Sequence, residues 1–198
     1  MNRQWMDTKS RLFVMAVLMT FWAVGAGQPA TKPESVAPSV YTPASVVDEL
    51  MKMAAVGPGD YVVDLGSGDG RIVIAAVAKY GARGGFGVDI SPMMVTLGNE
   101  NAAKAGVADR VKFYERDLFA TDVSEATVVT IYLLPSIMGK VEQKLLAELK
   151  PGTRVVVHDF PFPNWRTEKV IAVDSLDKIK TTGFAFTQLY LYRVPAKP

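Results

Sequence analysis

The chain has 198 residues, 49% of them hydrophobic and 21% charged, which points to one good-sized core rather than two domains. A formal net charge of +2 without a dense Lys/Arg block speaks against nucleic acid as a partner, because neutralising phosphates needs clustered cations. Without cysteine and with a single histidine, disulfides, thiolate chemistry and a multi-histidine metal centre are excluded, and no metal-ligand spacing occurs elsewhere.

Arg3, Lys9 and Arg11 precede an apolar run that starts at Leu12, passes Trp22 and ends in small residues at Ala26. It is short for a bilayer span and suits the core of a signal peptide, with Val24-Gly25-Ala26 as the cleavage site. An uncleaved membrane anchor is the rival reading, and a start at Met15 or Met19 is the third. Residues 28–39, rich in Pro, Ala, Ser and Thr, read as a flexible linker. The expected organisation is a signal peptide or anchor over 1–27, the linker over 28–39 and a folded domain over 40–198. The expected location follows: exported or membrane-attached, and cytoplasmic only without that segment.

Thr42-Pro43 predicts a helix start, with threonine as N-cap and proline in the first turn. Val46, Leu50 and Ala54 share one face of this helix, which ends before Gly57-Pro58-Gly59. A strand is expected over Tyr61–Leu65, then a helix over 70–80 despite its Ile72-Val73-Ile74, because parallel neighbours need a crossover. Phe86-Gly87-Val88-Asp89 reads as the second strand, and Ser91-Pro92 starts a helix that Gly106 ends. A third strand is expected over 111–117. The almost uniformly apolar stretch 127–134 predicts a central strand buried on both faces. Ser136 is expected to cap a helix that Pro151-Gly152 stops. A fifth strand over 154–159 and an antiparallel pair over Lys169–Asp174 and 188–193 complete an α/β, doubly wound, Rossmann-like sheet.

The most informative run is Asp64-Leu65-Gly66-Ser67-Gly68-Asp69-Gly70. Glycines at alternate positions let the backbone turn sharply and approach a ligand closely, at the carboxyl end of a strand where open α/β sheets bind nucleotides. The pattern is G-x-G-x-G, not the dinucleotide G-x-G-x-x-G. Asp64, two residues before Gly66, would repel a pyrophosphate and suits an ammonium or sulfonium group. S-adenosylmethionine (SAM) carries both and no phosphate. Asp89, about twenty residues past the glycines, is placed to accept from ribose hydroxyls. Asp117, at the end of the third strand, is placed to accept from an adenine amino group.

From Thr42-Pro43 through the glycine turn, Asp89 and Asp117, the chain resembles the class I SAM-dependent methyltransferases. The runs Asp117-Leu118-Phe119, Leu133-Leu134-Pro135 and Glu148-Leu149-Lys150-Pro151-Gly152 make it similar to the archaeal and bacterial protein-lysine methyltransferases related to the mitochondrial ATP synthase c-subunit lysine methyltransferase. So does Phe160-Pro161-Phe162-Pro163-Asn164-Trp165. The resemblance implies a seven-stranded sheet with its last strand antiparallel, SAM as cofactor, and a protein substrate presenting a lysine. Relatives carry Tyr-Val-Pro-Thr-Pro before the first helix; here Ser39 takes the tyrosine position and Tyr41 lies two residues later.

Transfer to lysine requires an uncharged amine, and deprotonating a lysine of pKa roughly 10.4 at neutral pH costs about 4–5 kcal/mol. A dry, aromatic-lined channel lowers that cost. Tyr41, Phe160, Phe162 and Trp165 are the candidates for its wall, with core packing as the competing reading for the aromatics. His158 and Asp159 are candidates for relaying the proton, although a lone strand histidine is more often a packed one. Enzymes acting on exocyclic base amines usually carry Asn or Asp followed by two prolines and an aromatic after the fourth strand; Tyr132-Leu133-Leu134-Pro135 stands there instead. The alternatives are a methyltransferase for a small molecule or lipid-linked amine, and a SAM-binding module without catalysis. An exported enzyme would also need SAM, a cytosolic metabolite, supplied to it.

Overall fold

The computed structural model describes residues 41–176, 179 and 186–196; the apolar run and the linker lie outside them. In chain order the elements are α1 (Ala44–Met53), β1 (Tyr61–Leu65), α2 (Arg71–Ala78), β2 (Gly84–Asp89), α3 (Pro92–Lys104), β3 (Val111–Glu115), β4 (Val128–Ile131), α4 (Met138–Glu148), β5 (Arg154–His158), β6 (Lys169–Asp174) and β7 (Phe186–Arg193). Short 3-10 turns occupy Leu118–Ala120 and Pro135–Ile137.

The strands form one seven-stranded sheet in the order β3-β2-β1-β4-β5-β7-β6. The first five pair in parallel, and β7 runs antiparallel to both β5 and β6. Successive side chains in a strand point to opposite faces, so Val62 and Val63 enter different cores. Val62, Val128 and Val156 pack with α1, α2 and α3, whereas Val63, Val129 and Val155 pack with α4. The sheet is thus doubly wound, and its order reverses between β1 and β4, where a crevice opens beyond the strand ends.

Several ends differ from the sequence expectation. α1 begins at Ala44 with Pro43 at the cap and no side-chain capping bond, because the Thr42 hydroxyl instead meets His158 Nδ1 at 3.2 Å. Ser136 falls within a 3-10 turn, and α4 starts at Met138 with no side-chain cap. β4 stops at Ile131, three residues short of the apolar run, since Leu133 is buried without continuing the strand pairing. Ser91 does cap α3, accepting from Met94 N at 3.5 Å, with Pro92 in the first turn.

The link from β3 to β4 contains no helix longer than the 3-10 turn. Among the described residues, no helix therefore crosses the β2–β3 part of the face that α4 covers elsewhere.

Candidate active site

The glycine turn follows β1 directly. Gly66, Gly68 and Gly70 all have positive φ, at 85°, 51° and 81°. Their roles differ in what surrounds them. A Cβ on Gly70 would sit 2.3 Å from the Phe113 ring, so this glycine lets α2 lie close to β3. A Cβ on Gly68 would meet nothing within 4 Å, so its surface is open for a ligand. Gly70→Ala therefore destabilises the fold by about 2 kcal/mol or more, from a left-handed side chain plus overpacking. Gly68→Ala costs only about 1 kcal/mol in conformation but weakens cofactor binding. Thermal unfolding and calorimetric titration of the two variants separate these effects.

Three carboxylates line the strand ends around this turn. Asp64 is 2% exposed and accepts a 2.7 Å hydrogen bond from Thr130 Oγ1 on neighbouring β4. Burial pushes its carboxyl up to about 7; the Thr130 bond opposes the rise, and Asp89 and Asp69 add to it. Asp89 Oδ2 accepts from Gly68 N at 3.0 Å, and its Oδ1 accepts from Ser91 N at 2.9 Å. One carboxylate thus ties the glycine turn to the start of α3. A carboxylate offers about four acceptor sites, so the two backbone bonds leave capacity for two ribose hydroxyls. Asp117 is exposed, and its Oδ1 accepts from Phe119 N at 2.8 Å, which fixes the turn after β3.

This set of acceptors fits a cationic nucleoside. Arg71, which opens α2 after the turn, is committed to Asp69 at 2.6 Å, and its Nη1 donates to Thr42 O at 3.0 Å. Among the described residues, Asp64, Asp89 and Asp117 form no ion pair. A buried carboxyl held up near 7 by desolvation is one that a ligand ammonium or sulfonium would stabilise in its ionised form.

A second group of polar residues stands at the ends of β4 and β5. Leu65 pairs with Ile131, and Ile131 with Val157, so the glycine turn, Tyr132 and His158 lie side by side. At about 4.8 Å per strand, they span about 10 Å. His158 is 1% exposed, with Nδ1 against Thr42 Oγ1 and Nε2 against Thr187 Oγ1 at 2.5 Å. Both ring nitrogens are engaged by hydroxyls, and the ring stacks on Tyr132 with centroids 3.9 Å apart. His158 is thus packed, and its Nε2 also stands 3.7 Å from Asp159 Oδ2.

Asp159 leaves the strand at φ 62°, a left-handed conformation uncommon for a residue with a side chain. Its carboxylate accepts from Thr187 Oγ1, from Gln188 N at 3.1 Å and from Tyr132 OH at 3.3 Å. Burial, then the charge of Asp159, pushes the Tyr132 phenol up to about 12. Tyr132 and Thr187 belong to this polar group, and the sequence alone does not single them out. Tyr132 was visible only as part of an apolar strand, and Thr187 reaches the site only through the antiparallel return of β7.

The aromatic candidates do not share one wall. Phe160 is half-buried and stacks with Tyr132 at 6.4 Å. Phe162 is 5% exposed and packs in the α4-side core against Tyr192 and Trp165. It is core, and Trp165 is half-buried upon it. Tyr41 is 47% exposed, lies against Arg71 at 4.7 Å and reaches Met94 Sδ at 3.8 Å, on the glycine-turn side. No group of His, Asp and Glu among the described residues could hold a metal ion.

Comparison with known proteins gives a consistent family. The ANTKMT methyltransferase domain matches residues 64–169. A protein-lysine N-methyltransferase of Saccharolobus islandicus is 41% identical over 137 residues, covering 69% of this chain and 85% of that one. The adenine nucleotide translocase lysine N-methyltransferase of Mus musculus is 37% identical over 134 residues, 68% of this chain and 58% of that protein. Among solved structures, an RNA methyltransferase from Salinibacter ruber in complex with S-adenosyl-L-homocysteine is 43% identical with a TM-score of 0.71. That match covers 80% of this chain and 96% of that one.

Proposed function

We propose, from the premise that this chain belongs to the ANTKMT methyltransferase domain family, that it transfers methyl groups from SAM to lysine side chains of a protein. The observation that carries this reading is the match to the archaeal protein-lysine N-methyltransferase over 85% of that protein's length. The chain spans little more than half of the mouse relative, so the adenine nucleotide translocase is not carried over as a substrate.

Bound SAM supplies a methyl group already activated by its sulfonium charge. The work left to the protein is holding, orientation and deprotonation. Asp64, Asp89 and Asp117 would hold the donor by its cationic group, its ribose hydroxyls and its adenine amino group. Asp159 takes the proton that the target ammonium gives up beside Tyr132, and the half-buried rings of Tyr132 and Phe160 exclude water and favour the neutral amine. Asp159→Asn tests this role, because asparagine tolerates the left-handed backbone. The variant keeps its SAM affinity while methyl transfer falls by about a hundredfold or more, read by single-turnover kinetics with saturating SAM. Unchanged transfer removes Asp159 from the chemistry.

The substrate class is tested by incubating the protein with radiolabelled SAM and, separately, protein, RNA and small-molecule extracts. Methyl-lysine in acid-hydrolysed protein is the expected result. The Salinibacter ruber neighbour is described as an RNA methyltransferase, which gives a second reading, RNA as acceptor. Against it stands Tyr132-Leu133-Leu134-Pro135 at the end of β4, which lacks the Asn/Asp and paired prolines typical of base-amine methylation. Label confined to RNA or to small molecules overturns the lysine assignment, and no label anywhere with SAM bound would leave a non-catalytic SAM-binding module.

The apolar run from Leu12 to Ala26 supports a further part of the reading, export or attachment to a membrane. A fusion of residues 1–40 to a reporter active only outside the cytoplasm is expected to give signal; a silent reporter and a wholly soluble fusion contradict it.

A further inference from the structure

Away from the cofactor turn, the uncovered part of the sheet carries a second surface. In β3 the alternation puts Lys112 and Tyr114 on one face, and Arg116 follows the end of the strand. Tyr61, Phe86 and Tyr114, from three adjacent strands, follow one another with ring centroids 6.1 Å apart at each step. Arg83 stands over the Tyr61 ring at 4.8 Å and Arg116 over the Tyr114 ring at 5.5 Å. Arg83, Arg110 and Lys112 join the aromatic rings in lining a concavity of about 360 Å³. Gly84 contributes no side chain to it, and a Cβ there would stand 2.9 Å from Arg110 O.

The four cations are exposed, and Arg83, Lys112 and Arg116 form no ion pair among the described residues. Asp109, 3.8 Å from Arg110, is the one acid lining the concavity among the described residues. The Tyr61 end of the surface opens β1 whereas the glycine turn follows Leu65, about 13 Å along the strand; the Arg116 end lies beside β2, where Arg116 N donates to Asp89 O at 3.1 Å.

We infer that this face binds a segment of single-stranded nucleic acid, with phosphates on Arg83, Arg110, Lys112 and Arg116 and bases stacked on the aromatic and guanidinium planes. Cations interleaved with aromatics on an open sheet face are what single-strand recognition uses. An acidic protein segment would satisfy the cations but has no use for three rings in a row. A second copy is disfavoured, because a two-fold interface would set this basic patch against itself. The scarcity of clustered cations along the sequence does not bear on the point, since strand pairing gathers residues spread over 83–116.

The inference is independent of the lysine reading and is tested without methyl transfer. Fluorescence anisotropy of the full chain is followed with a labelled twelve-nucleotide oligouridylate, and with a polyglutamate of equal charge as comparison. The oligonucleotide is expected to bind at low ionic strength. The Arg83→Gln/Lys112→Gln variant weakens binding by about tenfold and lowers the salt slope by about 1.4. Tyr114→Ala weakens the oligonucleotide by about tenfold without changing polyglutamate binding. Both variants keep the parent's SAM affinity and unfolding temperature. No binding at low salt, or parental affinity in the double variant, overturns the inference. Equal affinity for polyglutamate also overturns it and assigns the face to an acidic protein segment.

Discussion

Replacing Asp89 by alanine lowers SAM affinity by about a hundredfold or more. The carboxylate stands at the end of β2 with its two oxygens turned to Gly68 N and Ser91 N. It shapes the turn and offers acceptors to a ribose at the same time. Hydrogen bonds to a charged acceptor contribute about 1.5–3 kcal/mol each, so losing two ribose bonds amounts to about 3 kcal/mol at the lower end. The half-buried backbone groups left behind can be solvated, and the fold itself loses only about 1 kcal/mol. Calorimetric titration reads the affinity and thermal unfolding without ligand reads the fold. Asp48→Ala, which removes a surface partner of Lys79 on the helical side, is the control and keeps its affinity. Parental affinity in the Asp89 variant removes the ribose assignment.

Asp64 governs the pH dependence. Its carboxyl titrates near 7 in the folded protein, raised by burial from 3.8. The folded state therefore holds a proton that the unfolded state gives up earlier. The contribution to stability is complete below about 4 and is lost as pH rises to about 7. In ligand-free protein at pH 8, Asp64→Asn, which needs no ionisation, is expected to be more stable than the parent by about 4 kcal/mol. SAM reverses the order, because only the ionised carboxylate attracts its cations. Parental affinity then falls about tenfold for each pH unit below 7, and titration at pH 6 releases a proton that calorimetry detects in buffers of different ionisation enthalpy. The Asp64→Asn variant binds weakly and with a flat profile. A parental affinity that is also flat from pH 6 to 8 contradicts the role given to this carboxylate.

What could be read from the sequence depended on whether the determinant was local. β1 and β6 fall on their expected bounds, and Ser91-Pro92 starts α3 as its capping chemistry requires. The positions of Asp64, Asp89 and the three glycines were legible because the β-α pattern alone puts them at strand ends, whereas β3 stops at Glu115, two residues short of Asp117. Long-range partners were not legible. Thr42 has the chemistry of an N-cap, yet its hydroxyl goes to His158, 116 residues away. Phe160 and Phe162 are two apart in one loop, but one faces Tyr132 and the other is buried against Tyr192. Nothing in the order of residues decides between those destinations. The same holds for the basic face, whose cations are scattered along the chain and meet only through β2–β3 pairing.

We propose that the carboxylates at and just past the ends of β1, β2 and β3, which form no ion pair among the described residues, select a positively charged nucleoside over a phosphorylated one. Titrating the full chain at pH 8 with SAM and, in parallel, with NAD tests it most directly. Saturable heat with SAM and none with NAD is the predicted result. Heat from NAD with none from the sulfonium donor would contradict the assignment of the site.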